Sequence, residues 1–240
     1  MNILTYLTII IISVVQSIFG VGVLLFGTPL LLLYGYEFDN TLSILLPISL
    51  TISLFQIIKD FNSIDFIFYR KFLIYSIPFV VLLLFLGFIK NINFNFAVGI
   101  FLIFFSLKEH SKTINKKLNF FDKISLIIMG VIHGLTNLGG SLLTAIVYNK
   151  NFSKNRTRAT IAICYATFAF FQILTLVFLI DNSEVFYGLN MAFLIIGGLS
   201  FLITEKFVFS KIDREKYSKS FSVFLFLSGF LLVLNHAYLF

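Results

Sequence analysis

Charge is what this 240-residue chain has least of. Only 12% of its residues are Asp, Glu, Lys or Arg, about half the share of a soluble domain. There is one cysteine, Cys164, and no tryptophan. A lone cysteine excludes an intramolecular disulfide and a cysteine-rich metal or cluster site. No nucleotide-binding glycine loop, paired catalytic carboxylates or His/Cys ligand cluster occurs. The sequence therefore predicts no enzyme, no cofactor and no metal centre. The net charge of +7 does not point to nucleic acid. The basic residues sit in short connections between apolar segments, where they act as topology signals.

Apolar residues make up 59% of the chain, and the mean hydropathy is +1.00. Charged residues bound eight uncharged runs: 1–36, 40–58, 72–89, 91–107, 124–149, 159–180, 185–204 and 220–240. A helix needs roughly 20 apolar residues to cross a hydrocarbon core of about 30 Å. Six runs fit one crossing each. Runs 1–36 and 124–149 would make straight helices of roughly 54 and 39 Å, and both hold glycine breaks. Each reads as two half-helices joined at the break. The first run lacks a basic n-region and a small-residue cleavage site, so it is expected to be a retained membrane segment. The expectation is a multi-pass protein of the inner (cytoplasmic) membrane with the lipid bilayer as its main partner. Oligomeric state, including a homo-oligomer, stays open.

The basic residues test the topology. If all eight runs cross, Lys and Arg divide nearly evenly between the two faces. If run 124–149 enters and leaves on one side, 17 of the 18 lie on one face and only Lys90 on the other. The second arrangement satisfies the positive-inside rule. Residues 124–149 are therefore expected to form a re-entrant hairpin. Non-helical backbone at membrane depth is tolerated only beside protein or a watery cavity.

A weak internal repeat extends this reading to the first run. A shift of 117 lays Gln16 to Gly22 over His133 to Gly139. A shift of 116 lays Thr41 over Thr157, Thr51 over Thr167, and Phe55-Gln56-Ile57 over Phe171-Gln172-Ile173. The predicted fold class is an all-α integral membrane protein of two inverted repeats. Each repeat is a glycine-broken re-entrant hairpin plus three transmembrane helices, an architecture known in secondary transporters. The first repeat takes residues 1–107, a cytoplasmic linker 108–122, and the second repeat 123–240. A single crossing by run 1–36, with the N-terminus inside, is the alternative.

The two breaks carry the candidate chemistry: Gly20, Val21 and Gly22 in one, Asn137, Leu138, Gly139, Gly140 and Ser141 in the other. Each opens a second half-helix, Val23 to Tyr34 and Ser141 to Tyr148. The first N–H groups of a helix lack intrahelical partners and carry the positive end of its dipole. They form an anion site without a cationic side chain. Glycine permits left-handed backbone angles and close ligand approach. Ser17, Thr28, Thr136 and Thr144 supply further donors. Tight helix packing is the other use of such glycines, but two matched breaks favour the site. No Asp, Glu, Lys or Arg lies within an apolar run. His133 is the deep titratable group and corresponds to Gln16. It either contacts substrate or a proton, or caps a local polar network. Gln56 and Gln172 are repeat-related amides that each require a partner when buried. Lys150, Lys154, Arg156 and Arg158 read as inner-face anchors, and Pro29, Pro47 and Pro78 as kinks.

The segments Gly20-Val21-Gly22, Gly27-Thr28-Pro29-Leu30, Gly130 to Leu135 and Gly139-Gly140-Ser141 together resemble the two signatures of the sulfite exporter TauE/SafE family, also called the toluene sulfonate uptake permeases. The resemblance covers essentially the whole chain. Val23 stands where a further glycine is usual, and Ala145 and Ile146 stand near the second motif's proline. The resemblance implies transport of a small sulfur-containing anion such as sulfite, a sulfonate or sulfoacetate. The expected function is a secondary transporter or facilitator working by alternating access, with Gln16, His133, Gln56 and Gln172 beside the two breaks. An anion channel and a non-transporting scaffold or assembly factor are the alternatives.

Overall fold

The computed structural model describes residues 3–19, 22–110, 122–150, 152–179, 191–208 and 230. Among these the secondary structure is helical. The elements are α1 (Ile3–Phe19), α2 (Val23–Leu33), α3 (Phe38–Asp60), a 3₁₀ turn (Phe61–Ser63), α4 (Phe66–Tyr75), α5 (Ile77–Ile89), α6 (Phe94–His110), α7 (Asp122–Thr136), α8 (Gly140–Tyr148), α9 (Lys154–Leu179) and α10 (Met191–Val208). Gly20 and Val21, most of the linker 108–122, and all of run 220–240 except Phe230 lie outside the described residues.

Three stretches are long and apolar enough to cross a bilayer: Phe38–Ser63, Phe66–Ile89 and Asn155–Leu179. Polarity is reversed from that of a soluble protein. Phe178, Ile58 and Ile67 are 85%, 76% and 75% exposed, whereas Thr5, Ser13, Gln16, Ser49, Gln56 and Gln172 are buried. In water such an exterior would aggregate; hydrocarbon solvates it. This is a multi-pass membrane protein.

Both long runs break where expected. A Cβ on Gly22 would lie 2.7 Å from the Gln16 backbone nitrogen and 3.1 Å from the Ile12 carbonyl oxygen. The chain has therefore turned back onto α1. One on Gly139 would lie 2.7 Å from the Met129 carbonyl oxygen and 2.5 Å from His133 Cβ, so α8 returns along α7. At the open end of the first hairpin, Thr5 and Tyr36 share a 2.9 Å hydroxyl–hydroxyl bond, and Thr8 donates to Tyr34 Oη at 3.3 Å. The boundaries differ slightly from expectation. The second half-helices are Val23–Leu33 and Gly140–Tyr148, each shifted by one residue at one end.

The expected loop 59–71 is mostly helix. Asp65 accepts the Phe68 N–H at 2.7 Å and caps α4, so Arg70 and Lys71 ride on α4 instead of a loop. The span then breaks at Ser76. Pro78, in the first turn of α5, cannot donate the helical bond to the Ile74 carbonyl.

Packing exchanges elements between the two halves of the chain. Helices α3 and α9 make the most extensive contact, the end of α3 against the start of α9. Helix α7 runs beside α5 in the same direction. Ser76 donates to the Leu126 carbonyl at 2.9 Å, and Cβ atoms on Gly130 and Gly134 would come within 2.5 Å of the Ser76 and 2.7 Å of the Val80 carbonyl oxygens. Helix α1 runs beside α10 in the same way. Tyr6 meets Phe193 with ring centroids 4.9 Å apart, and Gly197 faces Ile9 and Ser13.

Candidate functional site: the two helix breaks

Glycine at the two breaks answers a need for space. Gly22 has φ 175° and Gly139 φ −59°, and neither value requires glycine. The left-handed residue is Asn137, at φ 61°; asparagine tolerates this region better than other side-chain-bearing residues. At Gly22, Gly139 and Gly140 the expectation that glycine supplies left-handed angles is corrected; Gly20 lies outside the described residues. These glycines let the returning chain touch the helix it left.

At the first break, Gln16 Oε1 accepts the Val23 N–H at 2.8 Å. The amide thus lies across the N-terminus of α2 and takes one of its free donors. At the second break, His133 Nε2 donates to Gln172 Oε1 at 3.1 Å. The imidazole stacks on Phe168, with ring centroids 3.8 Å apart. His133 and Gln172, whose partners the sequence left open, thus bond each other. The repeat counterpart of Gln172 differs: Gln56 is fully buried, yet neither of its amide atoms has a partner among the described residues.

The two hairpins touch. Asn137 Nδ2 donates to Thr28 Oγ1 at 3.0 Å, joining the second break to the half-helix after the first. Most other hydroxyls expected to serve as donors are engaged locally. Ser17 bonds the Val14 carbonyl, Thr136 that of Ile132, Ser141 that of Leu138 and Thr144 that of Gly140. Leu138 donates its N–H to Thr136 Oγ1 at 3.2 Å.

Two features escaped the sequence. Tyr165 on α9 stands over the start of α8, where a Cβ on Gly140 would lie 1.6 Å from the Tyr165 hydroxyl oxygen. Its signal was available: a shift of 116 places Tyr165 over Ser49, on the helix after the first hairpin. The other is a cluster of ion pairs. Arg158, only 8% exposed, bonds Asp60 at 2.9 Å and Glu205 at 2.7 Å. Lys59 reaches Glu205 at 3.4 Å, and Arg156 pairs with Asp65. Arg156 and Arg158 are thus ion-paired structural groups, not anchors alone. Burial acts to raise the Asp65 carboxyl, but its bond from Phe68 and the Arg156 guanidinium prevail and hold it below the usual carboxylate value.

Residues 5–232 match the family model described as sulfite exporter TauE/SafE. No curated protein and no solved structure matched the chain.

Proposed function

The chain belongs to the sulfite exporter TauE/SafE family of membrane transporters, and on that premise we propose that it moves a small sulfur-containing anion by alternating access around the two hairpin tips. The membrane in question is the inner (cytoplasmic) one. Each hairpin re-enters from the side it left, the first from outside and the second from inside. The distribution of Lys and Arg supports this orientation. The two halves form an inverted repeat. Supporting that, Ile12, Gln16 and Gly22 make the same close approach as Met129, His133 and Gly139, 117 positions later. Likewise α1 pairs with α10 as α7 pairs with α5.

The observation that carries the reading is the Asn137–Thr28 bond between hairpins. It sets the turn before α8 against Thr28, in the middle of α2, and so brings the two hairpins, each with a helix N-terminus at its tip, into contact within the apolar zone. Their dipoles favour an anion there without any cationic side chain. Such a site also fits the family's sulfur-containing substrates.

The ion pairs supply the inner closure. Asp60–Arg158, Lys59–Glu205 and Asp65–Arg156 all link the first half to the second. Opening toward the cytoplasm requires them to part, whereas opening outward does not. A channel would need no such alternation.

The test is uptake and efflux in proteoliposomes of the full chain, with sulfite, thiosulfate, methanesulfonate, acetate and phosphate offered in turn. Saturable movement of sulfite or a sulfonate is expected. Movement of none of the sulfur anions, or unsaturable movement of all five, overturns the reading. Substituting Gly22 or Gly139 would confuse it, since any Cβ there meets backbone.

A further inference from the structure

Two carboxylates converge on Arg158, near the start of α9, whose side chain is buried. Its Nε and Nη2 both donate to one oxygen of Asp60, Oδ2, at 3.2 and 2.9 Å. Nη2 also lies 2.7 Å from Glu205 Oε1, which Lys59 Nζ reaches at 3.4 Å. Asp60 ends α3 and Glu205 lies in the last turn of α10, so the guanidinium joins three helices. Arginine holds an oxyanion most firmly when two parallel N–H groups meet two different oxygens. Here both meet a single oxygen of Asp60, and a ligand that presents two oxygens side by side can improve on that contact.

Deeper along α3, polar groups lack partners. Gln56 lies four residues before Asp60, on the same face of the helix and about 5.4 Å further into the apolar zone. It is buried, and neither amide atom has a partner among the described residues. Ser53, three residues before Gln56, is buried with its Oγ in the same condition. Buried polar groups are ordinarily satisfied. A row of unsatisfied ones that leads to a guanidinium fits a path for a ligand that carries acceptor oxygens.

We propose that Arg158 and the Gln56 amide form an inner anion-binding station, which Asp60 occupies with its own carboxylate until the transported anion takes its place. This deepens the transport reading and rests on it. Replacement keeps the guanidinium covered, and an unpaired buried charge is costly. Asp60, whose side chain is 17% exposed, turns to water at the cytoplasmic face while Glu205 stays on Arg158. Two oxygens of the incoming anion then meet the guanidinium edge, and a third accepts from Gln56 Nε2. Charge selects the ligand. Lys59 and Arg158 balance Asp60 and Glu205. A monoanion in place of Asp60 preserves that balance, whereas a dianion leaves one negative charge in excess. The station therefore suits a singly charged head with three oxygens, such as a sulfonate, over a dianion such as sulfate.

The experiment measures methanesulfonate and sulfite uptake by the full chain in inside-out membrane vesicles, where the added anion meets the cytoplasmic face. Wild type, Asp60→Asn, Gln56→Leu and Asp65→Asn are compared. Asp65→Asn weakens the pair with Arg156 without touching Arg158, so it measures how far a looser inner closure alone lowers the half-saturation concentration. Asp60→Asn leaves Glu205 on Arg158 and removes the competing carboxylate; it is expected to lower half-saturation at least about threefold further than Asp65→Asn does. Gln56→Leu is expected to raise it roughly tenfold, the loss of one hydrogen bond to a charged partner. Without ligand, Gln56→Leu should melt at or above the wild-type temperature, because it removes an unpaired buried amide; a purely structural glutamine would lower it. An effect of Asp60→Asn no greater than that of Asp65→Asn, or an unchanged half-saturation in Gln56→Leu, overturns the station while leaving anion transport standing. Uptake of neither anion by wild type overturns both.

Discussion

Asn137 and Thr28, 109 positions apart, are joined by a 3.0 Å hydrogen bond from Nδ2 to Oγ1. Asn137 does this from a left-handed backbone, at φ 61°. One residue thus shapes the second break and ties it to the first hairpin.

The two roles separate by substitution. Asn137→Gly keeps the turn and loses the bond, a cost of about 1 kcal/mol. Asn137→Val loses the bond and adds a left-handed penalty of roughly 1–2 kcal/mol. Thr28→Val should match the glycine variant. Thermal melting in detergent orders the three; equal melting of the Gly and Val variants would show that the backbone angle carries no strain.

Helices α5 and α7 approach through glycine. A side chain on Gly134 would meet the Val80 carbonyl oxygen at 2.7 Å, and backbone cannot yield as a flexible side chain can. Gly134→Leu is expected to separate the helices and sharply lower the melting temperature, with Gly134→Ala between it and wild type. Wild-type melting by the leucine variant would refute the close packing.

Arg158 lies between two carboxylates. Arg158→Gln leaves Asp60 and Glu205 without their shared cation, a loss expected at about 3–5 kcal/mol for a buried pair. Adding Asp60→Asn should recover part of it. A double-mutant cycle by denaturant midpoint measures the recovery, and strict additivity would mean that the two residues do not interact.

Asp65 sets a pH dependence. Its carboxyl is held below the ordinary value, which for Asp is about 4. Its contribution is therefore fully present above that pH and is lost as pH falls through the lower folded value. The stability difference between wild type and Asp65→Asn should be constant from neutrality to about pH 5 and shrink in acid. A difference that grew on acidification would reverse the assignment.

Sidedness is open to labelling. In a Cys164→Ala background, single cysteines at Lys123 and Asn155 should react from the same face, and one at Asn91 from the other. Opposite faces for 123 and 155 would mean that the segment between them crosses the membrane an odd number of times.

Much of the fold was legible because helix existence in a membrane protein is a local property. The apolar runs 40–58 and 159–180 and their charged ends anticipated α3 (Phe38–Asp60) and α9 (Lys154–Leu179) to within about five residues. The breaks at Gly22 and Gly139 were visible as polar or small residues where straight helices would be too long. Two close approaches, Ile12 to Gly22 and Met129 to Gly139, lie 117 positions apart. Gln56 shows the limit. The sequence required a partner for it, and the structure provides none among the described residues, because satisfaction depends on the neighbouring helix's register.

The sequence by itself determined which segments are apolar, where they must stop, and that two of them break; hydration of charge and the thickness of hydrocarbon decide those matters residue by residue. Only the tertiary structure decided that Asn137 bonds Thr28, that Arg158 is shared by Asp60 and Glu205, and that Tyr165 stands over Gly140 at the second break. Those outcomes depend on how helices far apart in sequence, from 50 positions for Ser76 and Leu126 to 109 for Asn137 and Thr28, approach and rotate against one another. No local pattern encodes that geometry.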